Sequence, residues 1–325
     1  MSSSGTPLSC SGSDAPLRVG AIGAGRVGAV LTRALADAGH HVVAVSGESD
    51  ASRERAAALL PGVPLAKPSD VARAADLLLL TVPDDMLGNV VQVLAAAGAL
   101  RPGQLLAHTS GAHGLAVLAP AAAVGARTLA LHPALTFTGT ATDLPRLRGC
   151  AYGVTVAAAE RPLAERLVAD VGGRPLWVAE EHRALYHAAL AHGANHLVTL
   201  VAQAREILAA ATDRGTGTPG DAAELEAVLR PLLGAALDNA LRHGDAALTG
   251  PVARGDVATV ARHVEELEAH APQASASYAA LARATVDRVT TDGRLLPIRA
   301  RRLLEVLGGR RSAGRGARPD HEEQS

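Results

Sequence analysis

Arg18-Val19-Gly20-Ala21-Ile22-Gly23-Ala24-Gly25-Arg26-Val27-Gly28 runs from a short apolar strand through three glycines into a helical stretch, Ala29 to Ala38. In such a turn the first glycine, Gly23, permits the tight bend. Gly25 lets the backbone approach a pyrophosphate, and Gly28 lets the helix pack closely on the strand. The free N–H groups of the helix start face the anion. The spacing alone is a weak signal. Placed between a strand and a helix, with a second strand at His41–Ser46, it predicts a dinucleotide-binding βαβ unit, with Gly23, Gly25, Arg26, Val27 and Gly28 touching the cofactor.

The end of the second strand bears on which dinucleotide. An acidic residue there would hold the ribose hydroxyls of NAD. Ser46 stands there instead, with Arg53 and Arg55 nearby and Arg26 inside the glycine turn, and these suit a 2′-phosphate. Glu48 argues the other way. NADP is the expected cofactor, with Ser46 and Arg53 among its ligands.

Working outward, apolar runs at Arg18–Ile22, His41–Ser46, Asp76–Val82, Gln104–Thr109, Arg127–Leu131, Ala151–Ala157 and Arg174–Val178 alternate with helical stretches. Several are apolar almost throughout, as strands covered on both faces are. This alternation predicts an α/β fold with a doubly wound, mostly parallel Rossmann-like sheet. From Glu181 onward there is no strand signal. Helices are expected at His182–Thr212, Asp221–His243, Asp256–His270, Ser275–Asp292 and Ile298–Leu307. The expected organisation is a disordered tail at 1–16, an NADP-binding domain at 17–180, a helical substrate and dimerisation domain at 181–307, and a second tail at 308–325.

Composition narrows the function classes. The chain has 325 residues, 48% of them hydrophobic, enough for two domains with real cores. A net charge of −1 and only five aromatic residues (Phe137, Tyr152, Trp177, Tyr186 and Tyr278) speak against a dedicated nucleic-acid binder. Met1–Pro16 has no signal-peptide pattern, and no uncharged apolar run reaches the ~18 residues of a membrane span, so a cytoplasmic protein is expected. Cys10 and Cys150 are read as free thiols. Lys67 is the only lysine, so any mechanism that needs a catalytic lysine must use it or do without.

Ligands of such sheets bind beyond the carboxyl ends of the strands. Three consecutive strand ends there carry Val82-Pro83-Asp84-Asp85, Ser110-Gly111-Ala112-His113 and His132-Pro133. Val82, Pro83, Asp84 and Ser110 are expected at the cofactor, with Ser110 also near the substrate. In the helical half, His187, Ala191 and Asn195 share one helix face at i, i+4 and i+8. His192 and His196 form a separate pair without a third ligand, and no metal is expected. Thr249 and Arg254 together suit a carboxylate, and Asp256 beside them reads both as substrate contact and as a helix N-cap.

In their order, GAGRVG, TVPDD, HTSGAHG, LHP, YHAALAHGAN and ALTGPVARGD resemble a bacterial family that joins a Rossmann-like domain to a C-terminal helical domain long of unknown function. The resemblance spans about residues 17–290, and LTGPVARGD is its most specific element. The family is distantly similar to ketopantoate reductases, pyrroline-5-carboxylate reductases and prephenate dehydrogenases, and one branch resembles an alternative, PanG-type ketopantoate reductase. Gly47-Glu48 departs from the pattern, which has a basic residue there. Ala191 stands where standard ketopantoate reductases carry a lysine four residues before the asparagine. The resemblance implies NADPH-dependent reduction of a small 2-oxo acid, 2-dehydropantoate to pantoate, by a homodimer. Asn195 would then orient the carbonyl, and His187, or else His132, would supply the proton. An imine reductase, a prephenate-type dehydrogenase and a catalytically idle NADP-binding protein that docks a partner are the rival expectations.

Overall fold

The computed structural model describes residues 15–212 and 221–308. Almost all of the two expected tails, Cys10 included, falls outside the described residues.

The first part alternates as the sequence indicates. Its elements are β1 (Arg18–Ile22), α1 (Arg26–Asp37), β2 (His41–Ser46), α2 (Asp50–Leu59), α3 (Pro68–Ala74), β3 (Leu77–Leu80), α4 (Asp84–Ala96), β4 (Leu105–His108), α5 (Ala119–Ala123), β5 (Arg127–Pro133), β6 (Ala151–Val156), α6 (Arg161–Asp170) and β7 (Arg174–Trp177). They form one sheet in the order β2-β1-β3-β4-β5-β6-β7. Every ladder is parallel except β5–β6. Alternate residues feed two cores: Val19, Ala21, Leu77, Leu79, Leu105 and Ala107 on one face, Ile22, Leu78, Leu80 and Leu106 on the other. The unbroken Leu77–Leu80 run is thus buried on both sides, as a central parallel strand requires.

Two strand ends differ from expectation for local reasons. The strand predicted at Asp76–Val82 stops at Leu80, because the Thr81 hydroxyl turns to donate to the carbonyls of Ile22 and Gly23. The one predicted at Arg127–Leu131 continues to Pro133, because antiparallel β6 pairs His132 with Gly153 and Pro133 with Tyr152.

The helical part comprises α7 (Arg183–Leu190), a π-turn at Ala191–Asn195, α8 (His196–Ala211), α9 (Ala222–His243), α10 (Gly250–Arg254), α11 (Val257–His270), α12 (Pro272–Thr291) and α13 (Pro297–Leu307). The single helix expected at His182–Thr212 is therefore interrupted. The stretch read as a loop before Asp256 contains the short α10, with Pro251 in its first turn and Gly255 ending it at φ +72°.

Two compact units result, Met1–Asn195 and His196–Ser325. The division falls one helix later than the expected 180/181 boundary, because α7 is tied to the sheet through Arg183. The second unit has its own core, formed by Val260, Val286, Val289 and Leu303 of α11, α12 and α13. No described helix is long and apolar enough to cross a membrane.

Gln104 shows how the sheet edge is sealed. It is buried, its Nε2 donates to the carbonyls of Ala72 and Ala75 at the end of α3, and its Oε1 accepts from the Arg101 N–H. Gln104→Ala strands these buried partners and is expected to cost about 2–3 kcal/mol, read as a lower urea midpoint at an unchanged m-value.

Candidate active site

The glycine turn is built by contacts within the first unit. Gly23 has φ +101°, and a Cβ there would lie 2.7 Å from the Thr81 carbonyl oxygen. A Cβ on Gly28 would lie 2.1 Å from the Gly23 carbonyl oxygen and 2.2 Å from the Thr81 hydroxyl. The amides of Gly23 and Ala24 donate to the Ser46 carbonyl. Gly25 is different. Its φ of −72° suits any residue, and no atom lies within 4 Å of where its Cβ would be. Neither conformation nor protein packing calls for glycine at 25. The space above it is a cradle that a side chain would fill, at the start of a helix whose Gly25 N-cap makes no side-chain cap. That geometry fits a dinucleotide pyrophosphate.

The arginines near this turn are arranged differently from expectation. Arg53 turns back on its own loop, donating to the Glu48 carbonyl and pairing with Asp50. Arg55 instead lies with Arg26 against Gly139, whose Cβ would fall 2.7 Å from Arg26 Cγ and 2.9 Å from Arg55 Cδ. That loop is held by Asp143, a fully buried carboxylate that accepts from the Thr138 and Gly139 amides and the Thr138 hydroxyl. Arg26 and Arg55 are thus the pair that converges. Ser46 is buried and serves the turn through its carbonyl.

At the strand ends, Val82 and Pro83 lead into α4, and Asp84 in its first turn lies 3.9 Å from His113 Nδ1. Ser110 is buried, its hydroxyl 3.0 Å from His113 Nδ1 and its amide donating to His108 Nδ1. His108 donates from Nε2 to the Gly114 carbonyl. Beside this loop, Gly111 separates two imidazoles. A Cβ there would lie 2.6 Å from His187 Cδ2 and 3.0 Å from His132 Nε2. The two rings meet edge to face with centroids 5.9 Å apart. His132 and His187, 55 residues apart in the chain, therefore share one location.

Two residues that sequence reasoning missed hold them there. Arg183 is buried and donates to the carbonyls of Ser110, His113 and Gly153. Tyr186 Oη lies 2.9 Å from His132 Nδ1, and its ring occupies the space that a Cβ on Gly153 would need. The available signal was the Arg183-x-x-Tyr186-His187 spacing, which sets a charge and two rings on adjoining faces of an otherwise alanine- and leucine-rich helix.

Asn195 closes the π-turn and is exposed. A π-turn inserts one residue, so Asn195 takes the angular place of i+7 in a regular helix, about 20° from His187 rather than about 80°. The interruption restores the shared face that the spacing suggested. In the second unit, Thr249 and Arg254 are exposed. Thr249 lines a groove of about 340 Å³ with Gln203, His263, Ser277 and Tyr278. Asp256 accepts from the Thr259 amide and hydroxyl as the N-cap of α11, so capping accounts for its position.

Sheet order, glycine turn and strand-end rim define a Rossmann-like protein followed by a helical unit. Residues 4–133 match the family model of the Rossmann-like domain, and residues 150–285 match that of a domain of unknown function, DUF2520. The two matches follow one another in the order that the motifs indicated. No curated protein matches it in sequence. Among solved structures, protein BF3122 of Bacteroides fragilis, provisionally described as an NADP oxidoreductase, is similar at a TM-score of 0.69 and 19% identity, over 83% of this chain and 98% of that one. An imine reductase from Myxococcus stipitatus in complex with NADP+ gives 0.59 and 21%, over 83% and 94%. Prephenate dehydrogenase from A. aeolicus gives 0.50 and 16%, over 67% and 79%. These likenesses establish the fold.

Burial holds His108 and His132 well below the usual histidine range, each at about 4, with the Arg183 charge acting in the same direction. The unfolded chain therefore binds more protons than the fold between about pH 6.5 and 4, so stability is full above that window and falls as pH drops through it. At pH 5 each imidazole is expected to cost about 2 kcal/mol relative to pH 7.5. Urea midpoints at the two pH values check this, and His132→Gln should flatten the dependence.

Two of the glycines give a second test. Gly28→Ala forces its methyl into backbone and should lower stability by about 1–3 kcal/mol. Gly25→Val should leave the melting temperature nearly unchanged while abolishing nucleotide binding, measured by calorimetry.

Proposed function

We propose that this protein is an NADPH-dependent oxidoreductase that reduces a small 2-oxo acid, and we assign 2-dehydropantoate as the substrate and pantoate as the product. The observation that carries this reading is the meeting of His132 and His187 over Gly111, at the same sheet edge as the open cradle above Gly25. When bound, the reduced nicotinamide supplies hydride. The chain's residues do the rest.

The Gly23–Gly28 turn and the start of α1 receive the pyrophosphate, with Val27 in the first turn of the helix. Arg26 and Arg55 face the 2′-phosphate, with Ser46 and Arg53 shaping the loop beside them. Val82, Pro83, Asp84 and Ser110 form the wall at the strand ends. The imidazole pair supplies the proton, a task that falls to histidine because Ala191 offers no amine. Asn195 orients the carbonyl, and Thr249 and Arg254 are the assigned carboxylate contacts. The fold shared with an imine reductase crystallised with NADP+ supports the cofactor and favours reduction of a cyclic imine as the second reading.

A second copy of the chain is the expected partner. Large apolar side chains stand exposed on α8 and α9, among them Val198, Leu232, Leu237 and Leu241, the last 79% exposed. We place the enzyme in the cytoplasm, where NADPH-driven synthesis takes place.

NADPH consumption at 340 nm with ketopantoate, pyruvate, 2-oxoisovalerate and a cyclic imine, repeated with NADH, tests the assignment. Selective turnover of ketopantoate with NADPH is expected, and of His187→Ala and His132→Ala the variant that removes the proton donor should lower kcat by about 10²-fold. Tight NADPH binding with no turnover of any of these compounds would instead favour the idle binding protein.

A further inference from the structure

The site described above contains a half-buried phenol, Tyr186, that the proposed reduction leaves without a role. Tyr186 sits behind His132 as seen from Gly111. Its Oη is 2.9 Å from His132 Nδ1, while His132 Nε2 faces the space over Gly111. Tyr186 is also flanked by a cation, with the Arg183 guanidinium carbon 5.5 Å from the ring centroid. Arg183 makes no carboxylate pair among the described residues, and it donates to three carbonyl oxygens. Glu180 and Asp84 act on its charge without a direct ion pair.

These contacts have a direction. A neutral histidine carries one ring proton, and the hydrogen bond at one nitrogen decides which nitrogen keeps it. With the phenol O–H donating to Nδ1, the ring proton resides on Nε2 and points at the space over Gly111. We propose that Tyr186 and His132 form a two-proton relay for the reduction, with His132 as the proton donor to the substrate oxygen and Tyr186 as the positioning residue that fixes its tautomer and reprotonates it. The proposal rests on the reductase reading and deepens it.

The balance closes. As the carbonyl carbon takes up hydride from reduced nicotinamide, its oxygen takes the Nε2 proton of His132. Nδ1 takes the phenol proton of Tyr186 in the same movement, so the imidazole ends neutral in its other tautomer. The phenolate left on Tyr186 lies beside Arg183; after product leaves, His132 Nε2 takes a proton from solvent and Nδ1 returns its proton to the phenolate, which restores the starting tautomer. A neutral imidazole backed by a phenol needs no imidazolium, in keeping with the burial that holds His132 uncharged at neutral pH. Burial pushes the Tyr186 phenol up, while the Arg183 charge and a Gly153 backbone hydrogen bond favour its ionised form. The net effect keeps the phenol protonated at rest, and the Arg183 charge and the Gly153 bond offset part of the cost of the anion once the proton has moved.

Glycine at 111 and 153 is part of the same device. A Cβ at 153 would lie 2.5 Å from the Tyr186 hydroxyl, and one at 111 would lie 3.0 Å from His132 Nε2. Neither glycine has a positive φ, so backbone conformation does not account for them, whereas seating the two rings does.

Two measurements test the relay. In ¹⁵N-imidazole spectra of the apo protein, His132 is expected with Nε2 protonated and Nδ1 accepting, and Tyr186→Phe should remove that preference. Against the substrate found by the NADPH assay, Tyr186→Phe should lower kcat about 10²-fold with nucleotide affinity unchanged. It should also turn a curved proton inventory in mixed H₂O and D₂O into a straight line, which a merely structural defect would not do. A protonated Nδ1 in the wild type overturns the relay even if the variant fails to fold. Full kcat with an unchanged inventory in Tyr186→Phe overturns it while the reductase reading stands. A wild-type protein that binds no nicotinamide nucleotide removes the reductase reading and the relay together.

Discussion

The Arg183 guanidinium, buried among the carbonyls of Ser110, His113 and Gly153, is the contact on which the site depends. A cation taken out of water is costly unless its donors are satisfied, and three carbonyls, two from the loop after β4 and one from within β6, meet that need. The same bonds pin α7 to that loop and to β6. They bring a helix beyond the sheet into the first compact unit, and with it Tyr186 and His187. Burial lowers the guanidinium's proton affinity from its usual value, which still leaves an arginine charged. A leucine at 183 would leave those carbonyls short of donors and release the helix that carries the rings.

The glycines then divide by cause. Gly23 and Gly28 are demanded by the protein itself, one by a left-handed φ and by the Thr81 backbone, the other by the close approach of helix and strand. Gly111 and Gly153 clear room for aromatic rings. Gly25 answers to neither, and the empty space above it is what separates a ligand site from a tight turn. Sheet order works alongside: β1, β3, β4 and β5 are neighbours, so the glycine turn, Pro83-Asp84, Ser110-Gly111 and His132 line up along one edge.

Much of this was legible in the residues. The seven strands follow from apolar runs alternating with helical stretches, least ambiguous at β3 and β4, which are buried throughout, and the glycine turn is read from spacing and context. His132 and His187 were singled out from strand-end and helix-face arguments, though nothing in the sequence said that they meet. Arg183 and Tyr186 escaped because their importance lies in the carbonyls and the imidazole opposite them, which only tertiary packing supplies. Arg53 and Arg55 both lie near the strand end in sequence and Arg53 was expected among the cofactor ligands, yet its side chain turns to acceptors in its own loop. The π-turn was invisible because α and π segments share the same composition, and Gly193 alone does not announce an inserted residue.

The central claim is that the edge running from Gly25 to His187 is one nucleotide-dependent site. Amide hydrogen exchange with and without NADPH reads it most directly. The account predicts protection at residues 22–28, 108–114 and 183–195 on adding the nucleotide, with the core strands already protected. Protection confined to the second unit, or none at saturating NADPH, would contradict it.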